Sequence, residues 1–356
     1  MELVNFAQTI LIVVLGAIGI AAFGIFFGLL YKGIDRKIAA HMQGRIGPPI
    51  IQPFRDVRKL FVKENIIPEN AIDWVFNLAP IMGLVAACSI LLYLPIGGQP
   101  AVFDGILTAK GDILLILYLL IIPSLAMVIG GFSSGSPYAT VGAQREMATM
   151  MAYEFPLAII VVSIAWRLSL VQGSTHVFAL STLTATPLWG IAGPIGFIGA
   201  IILLLALVIV TPAELSKIPF DSPEAETEIA DGLMVEYSGR NLAMFYLTDG
   251  VKTVAMGSII IALFFPYNLS PLLGLTDIAA ISVDIVFFLV KLFLVILFSV
   301  TLIRVAVARL KIDQVVYTYW VPLTLMSLVG LICIMWDQTI MTQFGIPSVV
   351  EILGLV

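Results

Sequence analysis

Six carboxylates fall within the twenty-three residues KIPFDSPEAETEIADGLMVEYSG, from Lys217 to Gly239: Asp221, Glu224, Glu226, Glu228, Asp231 and Glu236. Glu214 lies just upstream, and Lys217 is the only base in the stretch. Carboxylates crowded together raise one another's pKa and can hold protons near neutral pH. Acids that merely faced water would need no scaffold, yet Pro219, Phe220, Pro223 and Ile229 give this segment one.

Four of the ionisable residues that stand inside apolar runs bear on this chemistry, and each costs at least ~2.5–3.5 kcal/mol on insertion scales. Glu154 sits in MAYEFPLAI, two residues before Pro156, whose ring removes a helix hydrogen bond beside the carboxylate. Asp249 and Lys252 are spaced i, i+3, on one helix face, where they could pair. Lys291 lies near the middle of another run. Buried ion pairs that fix helix packing and a hydrated path for protons are both open readings for Asp249 and Lys252. Glu154 and Lys291 have no local partner and favour the path.

Other chemistry has little support. Cys88 and Cys333 are far apart with no CxxC spacing, and an iron–sulfur cluster usually needs four cysteines. His41 and His176 fall outside the apolar runs, which excludes a haem held between two helix histidines. The expectation is a chain with no catalytic residue, no metal site and no cofactor of its own.

These residues need apolar elements to hold them. The chain has 356 residues, 60% of them hydrophobic and 12% charged, with a net charge of −5. Its mean hydropathy is +1.08, far from that of an ordinary soluble domain. Eight spans are predicted, at about 5–31, 76–95, 112–133, 148–171, 189–212, 242–266, 280–304 and 317–336. No repeat or second domain is visible, so residues 1–356 read as one all-α, polytopic membrane domain. The loops after spans one, three, five and seven hold fourteen of the eighteen Lys and Arg residues. The other side holds Lys110 and Arg167. By the positive-inside rule this places the four charged loops in the cytoplasm and both termini outside the cell membrane. The first apolar run lacks a preceding basic region, so it reads as a retained helix and not as a signal peptide. No basic arm suggests nucleic acid.

In the first loop, QPFRDVRKLFVKEN places Phe54, Val57, Leu60 and Phe61 at helical spacing, with Arg55, Arg58 and Lys59 on the other face. That pattern suits an amphipathic helix at the membrane surface or against a partner. A solvated loop that obeys the positive-inside rule is the plainer alternative.

Four motifs carry a resemblance to a known family: QGRIGPPIIQPFRDVRKLF (43–61), GAQREMATMMAYEFP (142–156), PFDSPEAETEIADGLMVEYSG (219–239) and RVAVARLKIDQ (304–314). They resemble the H-type (subunit 1) family of respiratory complex I and the related energy-converting hydrogenases. The motifs lie on all four inferred cytoplasmic loops, in family order, and eight spans is the family's number. The resemblance implies a subunit at the joint between a peripheral redox arm and an ion-pumping membrane arm. It implies a hydrogenase-like large subunit and an iron–sulfur small subunit as partners, carrying a [NiFe] or related centre and the clusters. Antiporter-like membrane subunits and the lipid bilayer complete its surroundings.

Matched by position, Asp221, Glu224, Glu226, Glu228 and Glu236 fall in the family's coupling loop, and Glu154 and Asp249 on its intramembrane polar path. Lys252 and Lys291 are candidates for the same path. Arg45, Arg55, Arg58, Lys59, Arg145 and Glu146 are expected to dock the peripheral arm. Quinone-reducing members resemble RIGPNRVGPFGLLQP and GALRAAAQMISYE, have Glu at the position of Asp249, and typically have Trp and Pro where Leu302 and Ala308 stand here. The shorter first loop and Arg145-Glu146-Met147 look like the hydrogenase and sulfur-reducing side. A quinone- or phenazine-reducing complex is the alternative. A self-sufficient ion transporter is weaker, because no inverted repeat or pair of broken helices is visible. The choice between H⁺ and Na⁺ stays open.

Overall fold

The computed structural model describes residues 2–97, 112–172, 177–345 and 349; Lys110 and His176 lie outside them. Among the described residues, eight helices are long and apolar enough to cross a membrane. Helices are the form these stretches must take, because lipid offers no partner to a free N–H or C=O. No strand forms among the described residues beyond one isolated bridge, Asp112 to Ala179.

The chain opens with α1 (Glu2–Met42), α2 (Gln52–Val62), α3 (Asp73–Tyr93), α4 (Ile113–Ser133) and α5 (Pro137–Gln172). Short α6 (Leu180–Ala185) and α7 (Leu188–Ile191) lead into α8 (Pro194–Glu214). The acidic segment holds two 3₁₀ turns and the one-turn α9 (Glu226–Ile229) before α10 (Gly239–Phe264). Then come α11 (Ser270–Leu273), α12 (Asp277–Ile296), α13 (Leu302–Ala306), α14 (Ile312–Thr318) and α15 (Thr324–Phe344). π turns at Leu297–Thr301 and Tyr319–Leu323 join α12 to α13 and α14 to α15 as continuous spans. The second π turn absorbs Pro322, which cannot donate to a regular helix.

Two expected boundaries move by more than ten residues. The first span was expected to stop near residue 31, but α1 runs on to Met42. The fourth was expected to begin near 148, but α5 begins at Pro137. Hydropathy marks where lipid stops, whereas a helix continues through any residues that favour it, and proline suits a first turn. Lys32 and Asp35 therefore ride on α1, and Arg145 and Glu146 on α5. That extension is what brings them to the site.

Helix α10 is the centre of the molecule and is buried along nearly its whole length. It meets α1 backbone to backbone: a Cβ on Gly28 would lie 2.5 Å from the Gly250 carbonyl. Small residues permit this approach where packing, not water exclusion, drives association. Helix α2 is amphipathic, as its spacing predicts, and Pro53 occupies its first turn. Its Val57 is buried against Leu29 and Leu247, and the Phe54 ring lies 5.6 Å from that of Phe26.

Candidate functional site

The acidic segment is held down at several points. A Cβ on Gly142 of α5 would come within 2.7 Å of the Leu233 amide, so the segment lies directly on that helix. Tyr237 stacks on Phe76 at 4.1 Å and donates to the Phe76 carbonyl at 3.3 Å. Phe220 packs edge-on to Tyr319 at 5.0 Å. The Arg309 guanidinium grips both oxygens of Asp221 and donates to Thr227 at 3.0 Å. Arg145 bonds Glu228 at 2.6 Å and the Ser222 carbonyl at 3.3 Å. The order expected from the prolines and apolar residues is thus secured by cations on two neighbouring elements.

Beneath the segment the charges pair between helices. Asp249 on α10 takes Lys32 of α1 and Lys217 of the segment, each at 2.6 Å on the same oxygen. Lys252, one turn further along α10, reaches Glu214 of α8 at 2.9 Å and Ser124 of α4 at 2.7 Å. Ser124 lies 3.5 Å from the Tyr153 hydroxyl. Asp249 and Lys252 share a helix face but do not pair with each other. Tertiary partners outcompete the i, i+3 contact because α1, α8 and the segment deliver opposite charges with better reach.

Three cavities follow one another along this line. A surface basin of about 330 Å³ is bordered by Asp221, Glu224, Glu226 and Asp231 together with Arg304 and Arg309. Glu224 also lines a second cavity, of about 240 Å³, that reaches Asp249, Lys252 and Glu214. Glu214 in turn borders a third, of about 230 Å³, which is apolar apart from Glu154. Burial pushes the Glu224 carboxyl up to about 7, against the pull of Lys217; nearby Asp249 adds to the rise. Opposing cations on Asp221 and Glu228, by contrast, tie those acids to fixed partners.

The structure brings Asp221, Glu224, Glu226, Glu228, Asp249 and Lys252 into or beside this line, with Glu154 at its far end. Glu236 is half-buried beside Tyr237. Lys291 stands apart: it donates to the Phe265 and Tyr267 carbonyls at 3.0 and 2.8 Å. It satisfies carbonyls left free past the end of α10, so an ammonium within a span need not belong to a path. Among the residues expected to dock a partner, Arg45, Arg55, Arg58 and Lys59 are exposed. Arg145 is engaged within the chain, and Glu146 is 1% exposed. Because α5 continues through Glu146, its side chain turns into the bundle and cannot touch a partner from there.

Sequence reasoning gave no role to Lys32, Asp35 or Asp337. Asp35 joins Thr301 at 2.6 Å and Arg304 at 2.9 Å, fastening α1 to α13. Asp337, 1% exposed, pairs with Arg167 at 3.0 Å and accepts from the Gly193 and Gly196 amides. Arg167 was expected among the charges facing the other side, yet it is buried in this pair. A carboxylate inside an apolar stretch was the available signal for Asp337.

The family model described as NADH dehydrogenase matches residues 15–335. The chain is 34% identical over 262 residues to hydrogenase-4 component C of Escherichia coli (strain K12), covering 74% of this chain and 78% of that one. It is 32% identical over 276 residues to an H-type subunit of the NADH-quinone oxidoreductase of Koribacter versatilis (strain Ellin345). That match covers 74% of this chain and spans 62% of the longer relative. A solved chain of the membrane-bound sulfane sulfur reductase, an archaeal respiratory membrane complex, superposes with a TM-score of 0.77 at 29% identity. That superposition covers 90% of this chain and 99% of the other. With eight helices among the described residues long and apolar enough to cross a membrane, and with these relatives, the chain is a multi-pass membrane protein that belongs to the NADH dehydrogenase family, that of the H-type (subunit 1) component of complex I.

Proposed function

We propose that the chain anchors a peripheral redox arm to the membrane and couples its electron transfer to ion movement, in a hydrogenase-type or sulfane-reducing complex. The observation that carries this reading is the line of charge from the acidic segment through Asp249, Lys252 and Glu214 to Glu154. Acids at its mouth meet the face where the redox arm would sit. Charges at its end lie in the bilayer, where their cost needs a function. Glu224, which titrates near neutral pH, stands where the first two cavities join.

In this reading the acidic segment faces the cytoplasm and both termini lie outside, as the Lys and Arg asymmetry supports. The exposed Arg45, Arg55, Arg58 and Lys59 meet an arm made of a hydrogenase-like large subunit and an iron–sulfur small subunit. Those partners hold the [NiFe] or related centre and the clusters. Antiporter-like subunits continue the membrane arm. The hydrogenase-4 and sulfane-reductase relatives support this branch, together with the shorter first loop. The NADH-quinone oxidoreductase relatives keep a quinone-reducing complex as the second reading.

The test compares sealed vesicles containing the intact complex with wild type, Glu226→Gln, Glu228→Gln or Glu154→Gln. Glutamine keeps size and hydrogen bonding but cannot titrate. The ratio of ions moved to electrons passed should fall in these variants. An unchanged ratio in all three would leave the carboxylates as structural charge. Nickel without extractable quinone in the purified complex supports the hydrogenase branch. Iron–sulfur subunits with neither support the sulfur-reducing one, and quinone with a flavin subunit the second reading.

A further inference from the structure

Glu146 sits on α5 two turns before Tyr153 and Glu154, 1% exposed, and its Oε1 is buried without a hydrogen-bond partner. The charges around it come from three elements: Lys252 on α10, Glu214 on α8 and Glu224 in the acidic segment. Ser124 on α4 faces it as well. Lys252 is already bonded to Glu214 and to Ser124, at 2.9 and 2.7 Å. Two enclosed carboxyl groups therefore share one enclosed ammonium. An unmatched buried charge is strongly disfavoured, and one bound proton removes it.

We propose that Glu146, Lys252 and Glu214 together hold one exchangeable proton, and that Glu146 is an internal station between Glu224 and Glu214. This rests on the coupling reading above and adds a residue and a cargo to it. The transfer balances with the bonds in place. Lys252 gives a proton to Glu214 and regains one from Ser124, which takes one from Glu146. Serine and lysine end as they began, and the proton has moved from one carboxyl to the other. Refilling Glu146 falls to Glu224, the acid of the segment whose charge Glu146 feels and which also borders the deeper cavity.

Infrared difference spectroscopy on the purified complex, with deuterium exchange, reads protonated carboxyl groups directly. Wild type should show an exchangeable protonated-carboxyl band that disappears in Glu146→Gln and persists in Glu226→Gln. In sealed vesicles Glu146→Gln should abolish most of the ions moved per electron, since losing a proton-transfer group slows transfer by about a hundredfold or more. If Glu146→Gln fails to assemble, Ser124→Ala, which keeps every charge, should shift the same band and lower the same ratio. A band that survives Glu146→Gln, or one that Ser124→Ala leaves unmoved, overturns the proposal. If Glu226→Gln and Glu154→Gln pump normally while the Glu146 band still vanishes, the coupling reading falls and the shared proton stands. If those two uncouple but Glu146→Gln pumps normally, the coupling reading stands and the station falls.

Discussion

Asp249 is the pin between the acidic segment and the bundle, and neutralising it should release the segment. Lys32 and Lys217 each bond the same Asp249 oxygen at 2.6 Å, so their ammonium groups lie no more than about 5 Å apart. In Asp249→Asn the attraction goes and the repulsion stays. That repulsion is present in wild type as well, so the change in opening is set by the Lys217 attraction that is lost: at 2.6 Å about 6 kcal/mol for an effective dielectric constant of 20, and about 1.6 kcal/mol if water fully screens it. The Lys217 and Asp249 side chains are 23% and 26% exposed and asparagine still accepts a hydrogen bond, which puts the working figure near the lower limit, at about 2 kcal/mol. Lys217 is the partner free to leave, since it is carried on the segment while Lys32 is fixed on a helix. Local opening of residues 215–238 should therefore become about 30-fold more frequent. Hydrogen exchange on the purified complex, read on peptides from that segment, measures it. Asp249→Asn combined with Lys32→Met removes the repulsion as well and should return exchange part of the way towards the wild-type rate. Unchanged exchange in the single variant, or equal opening in both, would refute the reasoning.

The Arg167–Asp337 pair is closed to solvent, so Arg167→Met strands a carboxylate and should cost about 3 kcal/mol. That figure is the low end for a broken buried pair, because the α8 N-terminal amides still face Asp337; the midpoint of thermal unfolding should drop by roughly 4 °C. The Glu224 carboxyl, raised from 4.5 to about 7 by burial, binds its proton more tightly in the folded state than in the unfolded state. Its contribution to stability is therefore present at low pH and is lost as pH rises through that window, and Glu224→Gln should flatten this part of a plot of unfolding midpoint against pH. For topology, a cysteine replacing exposed Leu272 should react with an impermeant thiol reagent on intact cells, whereas one replacing exposed Glu226 should not. The reverse pattern would invert the orientation. Reversing Arg55 and Arg58 to Glu should release the peripheral subunits from membranes, more readily at high salt, while retention at every salt concentration would make α2 a bystander.

Hydropathy alone marked eight stretches long and apolar enough to cross a membrane, and these must be helices because lipid rejects unpaired backbone groups. It also singled out Glu154, Asp249 and Lys252, since a charge in an apolar run is conspicuous whatever surrounds it. The amphipathic α2 was legible too, from the spacing of Phe54, Val57 and Leu60. Partnership was not. Asp249 lies closest in sequence to Lys252, yet it pairs with Lys32 and Lys217, residues 217 and 32 positions away. Lys291 has the same sequence signature as Lys252 but caps loose carbonyls instead of reaching a carboxylate on another helix. Glu146 looks like a surface charge until α5 is seen to run through it and turn it inward. Sequence spacing fixes which residues share a helix face, whereas Coulomb attraction acts on separation in space. That separation is set only when α1, α4, α5 and α8 close around α10.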